Sequence, residues 1–301
     1  MTETAAETPP APTVEPSGIT EVADGVWVIP DRRVPLVPNV GIVLGDDAAL
    51  VVDTGMGPAN GRLVLEAARA KAGNRRLLLT VTHFHPEHGF GAQFLKGEAK
   101  IVYNRAQLDE LRAKGEAYLG MFRTFGSAVE RALEGVELVD PDETYSGSQA
   151  VDLGGRTVTL REVGLAHTRG DQLVTVDDAG VVFAGDLVEE RCFPIFPYFP
   201  PEDADVDGSA WIRVLADLEA QAPALVVPGH GSPGGAEIVA TQRQFMEQLR
   251  DAAYGAADEG RSADEAVAGL EPRFHAQHPD WVQPEWVGFA VRYFHAERAS
   301  G

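Results

Sequence analysis

Four short apolar runs in this chain each lead to the same chemistry. Leu77-Leu78-Leu79-Thr80-Val81 passes into Thr82-His83-Phe84-His85-Pro86-Glu87-His88, and Thr157-Val158-Thr159-Leu160 precedes His167. Val181-Val182-Phe183-Ala184 runs into Gly185-Asp186, and Ala224-Leu225-Val226-Val227 leads to Pro228-Gly229-His230. Apolar, β-branched runs of this length bounded by Gly, Pro and Asp read as buried strands, and open α/β sheets collect functional groups just past their strand ends. Neutral imidazoles and carboxylates are the ligands of borderline divalent metals, and they share a small volume cheaply only around a cation. A solvated His-rich turn explains the first cluster taken alone, but not its recurrence at separate strand ends. The chain is therefore expected to fold so that these ends meet at a metal.

The remaining pattern supplies the frame. Strands are expected at Gly25–Ile29, Val40–Leu44, Ala49–Val52, Val136–Val139 and Leu173–Val176, with helices from Pro58 to about Ala72, Asn104 to about Leu133 and Gly208 to Gln221. From Ala236 onward the pattern is mostly helical, ending in the amphipathic stretch Pro284–Phe294. His83 and His85 alternate by two, so on extended backbone they share a face; Glu87 continues that parity, and His88 starts the next turn. Pro86 stiffens the loop, while Gly89 and Gly91 permit a tight path. The segment Asp46–Asp53 resembles Asp177–Phe183 with Asp186 a little beyond. Chance and duplication both account for that, and duplication places two matching sheets face to face.

Length and charge narrow the function. A chain of 301 residues can bury one large core, with 44% hydrophobic and 24% charged residues and no run near the roughly 20 apolar residues of a membrane span. A formal charge of -21 with no Lys/Arg cluster argues against nucleic acid and anionic membrane as partners. The single Cys192 excludes an intrachain disulfide and reads as a small buried side chain in a reducing compartment. Residues 1–18 are rich in Pro, Ala, Thr and Glu with no signal-peptide pattern, and read as a disordered acidic tail of a cytoplasmic protein. His275, His278 and His295 lack strand-end context and read as surface or packing residues.

The order His83-x-His85-x-Glu87-His88, then His167, Asp186 and His230, with Val52-Asp53-Thr54-Gly55 upstream, resembles the metallo-β-lactamase superfamily, most nearly its glyoxalase-II-like hydrolases. The resemblance covers roughly Gly25 to Gly231. It implies an α/β fold: a four-layer αββα sandwich of two facing mixed β-sheets with the metal site at the sheet edge. Residues 19–235 form that domain and 236–301 a helical extension packed on it. The resemblance assigns His83, His85 and His167 to a first metal, Glu87, His88 and His230 to a second, and Asp186 to both, with Asp53 behind them orienting the His-bearing loop. It implies zinc, two per chain, with iron or manganese as alternatives, and a metal-bound hydroxide as nucleophile. One position departs from the family, which usually has Asp where this chain has Glu87. Either the loop adjusts so that Glu87 ligates, or Glu87 acts as a general base one hydrogen bond away.

The expected activity is hydrolysis of a carbonyl bond, an ester, lactone, thioester or lactam, in a small, partly apolar substrate, with Glu87 and Asp186 as the catalytic carboxylates. β-Lactam hydrolysis is the least expected of these, because no export signal is visible, and a glutathione thioester finds only Arg169 and Arg191 in the site loops. An iron-dependent oxygenase or oxidoreductase on the same ligands is the alternative. The Pro-rich loop after Asp186 offers Phe193, Ile195, Phe196, Tyr198 and Phe199 either as a substrate rim or as a cap on the sheet edge. The aromatic stretch Tyr118–Phe125 reads as core more readily than as a substrate wall. A homodimer is compatible with the composition.

Overall fold

The computed structural model of the chain describes residues 10–300. Among the described residues, twelve strands form two sheets. The first contains β1 (Thr20–Ala23), β2 (Val26–Ile29), β3 (Val40–Leu44), β4 (Ala48–Val52), β5 (Arg76–Thr80), β6 (Ala99–Asn104) and β7 (Glu143–Tyr145), in chain order. Its first four strands pair antiparallel and the rest parallel. The second contains β8 (Ser148–Asp152), β9 (Thr157–Glu162), β10 (Gln172–Val176), β11 (Val181–Glu189) and β12 (Leu225–His230), antiparallel except for the β11–β12 pair. Both sheets are therefore mixed.

Alternation along the strands builds the layers. In β4, Ala48, Leu50 and Val52 point into a core shared with Val158, Val174 and Phe183 of the other sheet, while Ala49 and Val51 point the opposite way. That second face packs on α1 (Gly57–Ala72), α3 (Arg105–Arg123) and α4 (Ser127–Ala132), through Val64, Leu119 and Val129. In β11, Val181 and Phe183 face the first sheet, and Val182 and Ala184 face the helical layer of α5 (Gly208–Ala220), α6 (Ala236–Asp258), α7 (Ala263–Gln277) and α8 (Trp286–Ser300). A period of two with both faces buried fixes the register, since a one-residue slip exchanges the two cores. The result is the αββα sandwich that the resemblance implies.

The structure departs locally from the sequence expectations. Val136–Val139 is irregular, because Val136 and Leu138 pack against the α3–α4 core without a ladder partner. Strands β6, β7 and β8 carry weak alternation interrupted by Lys, Glu and Gln, and so leave little sequence signal. Residues 10–18 of the expected tail are packed: Val14 is 1% exposed, its N–H donates to Asn60 Oδ1 at 2.9 Å, and Asn60 Nδ2 donates to the Pro12 carbonyl at 2.7 Å. Residues 1–9 lie outside the described residues. No helix among the described residues is long and apolar enough to cross a membrane.

Candidate metal centre

The strand ends do converge. Strand β5 stops at Thr80, and residues 81–85 run irregularly before the single turn α2 (Pro86–Gly89). Glu87 and His88 thus sit on a helical turn, and the alternating parity read from the sequence stops at His85. His83 Nε2 lies 3.0 Å from His85 Nδ1, which is 3.2 Å from His167 Nε2, and Asp186 Oδ2 is 3.8 and 3.9 Å from the outer two imidazoles. On the other side, Asp186 Oδ1 is 3.1 Å from His88 Nε2 and 3.7 Å from His230 Nε2. Two groups result, His83 with His85, His167 and Asp186, and Glu87 with His88, Asp186 and His230, each with its ligand atoms within 4.8 Å of one another. The Glu87 carboxyl therefore reaches the second group despite its extra methylene.

The outward-facing atoms show how the imidazoles are oriented. His88 Nδ1 donates to Asp53 Oδ2 at 2.9 Å, His167 Nδ1 to the Ile195 carbonyl at 2.9 Å, and His230 Nδ1 to the Val37 carbonyl at 3.0 Å. Each bond fixes a proton on the outer nitrogen, so that the inner nitrogen is the atom presented to a cation. Asp53 also accepts from Thr82 N at 2.7 Å and Thr82 Oγ1 at 3.0 Å, tying the start of the His loop to the end of β4. Both Asp186 oxygens, Glu87 Oε2, His88 Nε2 and His230 Nε2 are buried without a hydrogen-bond partner. Buried polar atoms that face one another without donors carry a large desolvation cost. Divalent cations at the two groups fit that donor set of imidazoles and carboxylates.

Electrostatics divides the groups. Burial holds His83, His85 and His167 below the usual imidazole range, His167 down to about 4, with neighbouring imidazoles adding to the effect. Burial also disfavours charge on His88, yet the Asp186 and Asp53 carboxylates on its two nitrogens outweigh it and raise its pKa well above the ordinary value. Burial opposes ionisation of Asp186 too, but His88, His230 and His83 hold it well below the carboxylate range. Burial pushes the Glu87 carboxyl up.

Two glycines make the geometry possible. Gly185 has φ +53°, and a Cβ there would lie 2.5 Å from Thr82 Oγ1 where β11 kinks beneath the His loop. Gly229 has ordinary φ, but its Cβ would lie 1.9 Å from Asp186 Oδ1. The kink also corrects a sequence expectation: Asp186 lies within β11, which resumes past Gly185 to Glu189, and does not end the strand.

A cavity of about 610 Å³ opens onto the centre, with His85, Glu87 and His230 at its floor. Ile195 and Phe199 line it, whereas Phe193, Phe196 and Tyr198 do not. Phe193 packs on Phe245 and Trp281, Phe196 on Trp211 and Phe294, and Tyr198 on Tyr293, because alternate residues of the Pro-rich loop turn toward the helical layer. The opposite wall comes from the α3 stretch read as core: Tyr118, Met121, Phe122 and Phe125. Tyr118 stacks on the His85 ring at 5.1 Å, with its hydroxyl donating to Asp203 Oδ2 at 2.8 Å. Trp286 and Phe289 of α8 also line the cavity.

The sequence reading also missed Glu189. Its Oε2 accepts from Ile195 N at 3.0 Å and so holds the residue whose carbonyl orients His167. The signal available was an acid within an otherwise apolar run, Asp186-Leu187-Val188-Glu189. His275, His278 and His295 lie in the helical layer, on Phe193, Trp281 and the Arg261 carbonyl.

Comparison with known proteins agrees with this geometry. An acyl-coenzyme A thioesterase, MBLAC2 of Bos taurus, is 27% identical over 217 residues, covering 66% of this chain and 75% of that protein. A metallo-beta-lactamase type 2 of Bacteroides fragilis is 25% identical over 217 residues, covering 71% and 77%. Among solved structures, a metallo-beta-lactamase from Pontibacter korlensis superposes with TM-score 0.60 at 17% identity, covering 76% of this chain and 98% of that one. A stereoselective inverting sec-alkylsulfatase from Pseudomonas sp. superposes with TM-score 0.70 at 15% identity, covering 93% of this chain and 50% of that one. At those identities the structures speak to the fold alone. The sequence pattern of the metallo-beta-lactamase superfamily matches residues 33–230, the span that runs from the cavity loop to the last imidazole of the centre, and the chain belongs to that superfamily.

Proposed function

We propose that the chain is a metal-dependent hydrolase that cleaves a carbonyl bond, an ester, lactone, thioester or lactam, of a small, partly apolar substrate. The observation that carries the reading is the pair of buried ligand groups sharing Asp186 at the floor of a largely apolar cavity. Both the thioesterase and the lactamase relatives support it by their names. A divalent cation held by these residues would supply Lewis-acid polarisation and a bound water acidic enough to ionise near neutral pH. The protein's part is to keep the inner nitrogens of His83, His85 and His167 deprotonated, to place Asp186 between the two groups, and to present the reacting carbonyl from the cavity side.

Glu87 is proposed as a ligand of the second group, with zinc as the metal of both. Its carboxyl faces both the group and the cavity, so loss of the second cation would leave a buried acid beside the substrate. The test is metal analysis of the purified protein together with a chromogenic ester, thioester and lactam panel. Two zinc ions per chain with turnover of a panel member support the reading, and Glu87→Ala is expected to lower the content from two to one. Stoichiometric iron with oxygen uptake and no turnover of the panel refutes it in favour of an oxidoreductase.

A further inference from the structure

The hydrolase reading leaves the substrate open, and the cavity walls narrow it. Above the imidazole floor the lining is Val34, Pro35 and Leu36 on one side, Met121, Phe122 and Phe125 on another, with Trp286 and Phe289 from α8. Among the described residues, the two large hydrophobic side chains that remain exposed are Phe125, at 50%, and Val282, at 46%. Both line this cavity. Exposed apolar side chains gathered at one mouth mark a binding surface rather than scatter.

The charged lining is sparse and one-sided. It offers one cation, Arg33, against the carboxylates Asp31, Glu87 and Glu285. Arg33 is committed: both of its terminal nitrogens donate to Glu190, one to the carboxylate and one to the carbonyl. Two further arginines of the surrounding loops are likewise engaged, Arg191 with Asp280 and Arg32 with Glu15. The whole chain carries a formal charge of -21, a field that opposes the approach of an anion.

Resting on the hydrolase reading, we infer that the substrate is an ester or thioester of a hydrophobic acyl group with an uncharged leaving group, the tail lying against Met121, Phe122, Trp286 and Phe289. A coenzyme A leaving group, which carries several phosphate charges, finds no uncommitted cation along the cavity. This separates the chain from the acyl-coenzyme A thioesterases it resembles in sequence.

The test compares decanoyl-N-acetylcysteamine with decanoyl-coenzyme A, which share the bond and the tail and differ in charge. The expected result is a kcat/KM at least tenfold higher for the uncharged thioester, with added salt raising only the coenzyme A value as the repulsion is screened. Preference for the coenzyme A ester overturns the inference. Within an uncharged series from acetyl to decanoyl, kcat/KM should rise by about fourfold per methylene buried. Phe122→Ala and Leu36→Ser should each shrink the decanoyl-to-acetyl ratio at least tenfold, and an unchanged ratio in both overturns the tail assignment. A non-hydrolysable ketone, 2-undecanone, separates this inference from the reading beneath it. Saturable binding that shifts tryptophan fluorescence in the wild type, and not in Trp286→Phe, supports the tail site even where no thioester is turned over. Absence of such binding overturns it whatever the activity.

Discussion

His88 is held at both nitrogens, and Asp53→Asn tests what that hold does. In the wild type Asp53 Oδ1 accepts from the Thr82 N–H at 2.7 Å, and Oδ2 accepts from His88 Nδ1 at 2.9 Å. An asparagine keeps its carbonyl on the obligate Thr82 N–H donor, which places its NH2 opposite His88. Only the tautomer with a lone pair on Nδ1 satisfies that donor, so the proton moves to Nε2, the atom 3.1 Å from Asp186 and within the second ligand group. Returning the proton to Nδ1 for metal binding breaks the hydrogen bond from the asparagine NH2 and sets two buried donors face to face, a cost of about 1.5–3 kcal/mol. That is roughly a 10- to 100-fold loss of affinity at the second site, in line with the usual effect of removing a partner behind a ligand. Folding should survive, because Asp53 has φ +68° and Asn tolerates the left-handed region nearly as well as Asp. The assay is competition with a chelator of graded affinity, followed by metal analysis of each fraction. Second-site affinity within twofold of wild type, or equal weakening of both sites, refutes the tautomer argument.

The two groups should bind metal with different proton balances. Burial holds His83, His85 and His167 below the usual imidazole range, whereas the Asp186 and Asp53 carboxylates raise His88 and burial raises Glu87, so the second cation should displace more protons than the first and its affinity should fall more steeply as pH is lowered. Calorimetry in two buffers of different ionisation enthalpy reads the protons displaced by each cation directly. Gly229→Ala drives a methyl into Asp186 and should deplete both sites, while Gly120→Ala, where a Cβ meets nothing within 4 Å, should leave metal content unchanged and add up to about 1 kcal/mol of stability. Removal of residues 1–18 should cost about 1.5–3 kcal/mol in denaturant unfolding through the loss of buried Val14, and no change would refute its packing role.

The ligand set was legible because metal ligands at strand ends repeat in a pattern that packing alone does not require. His83, His85, His88, His167, Asp186 and His230 meet as expected, although Asp186 does so from mid-strand. The cavity wall was much less legible. Tyr118, Met121 and Phe122 recur on one face of α3 with the spacing of core residues and do pack in the core, and that spacing gives no sign that they line a cavity as well. Aromatics of the Pro-rich loop divided between cavity and helical layer for the same reason: alternation predicts two faces without naming what each one meets. Carbonyls at Val37 and Ile195 that orient His230 and His167 leave no side-chain signature at all.

The hairpin similarity noted in the sequence explains why one imidazole lies between two aspartates. Strands β3 and β4 form an antiparallel hairpin whose second strand continues through α1 to a parallel partner, β5, and β10, β11, α5 and β12 follow the same path in the second sheet. Each path delivers an acid near the end of its hairpin and an imidazole at the end of its parallel strand. Asp53 lies seven residues beyond Asp46, whereas Asp186 lies nine beyond Asp177. The extra residues pass through the kink at Gly185, where the pairing register with β12 shifts, and they carry Asp186 forward to the imidazoles. Asp53, without that advance, remains behind the His loop and takes the outer nitrogen of His88, while Asp186 takes the inner one. Equivalent acids from two similar halves thus perform different tasks because one strand is kinked and the other is not. It follows that straightening β11 at Gly185 would withdraw Asp186 from both ligand groups at once, whereas a change at Asp53 reaches only the group that contains His88.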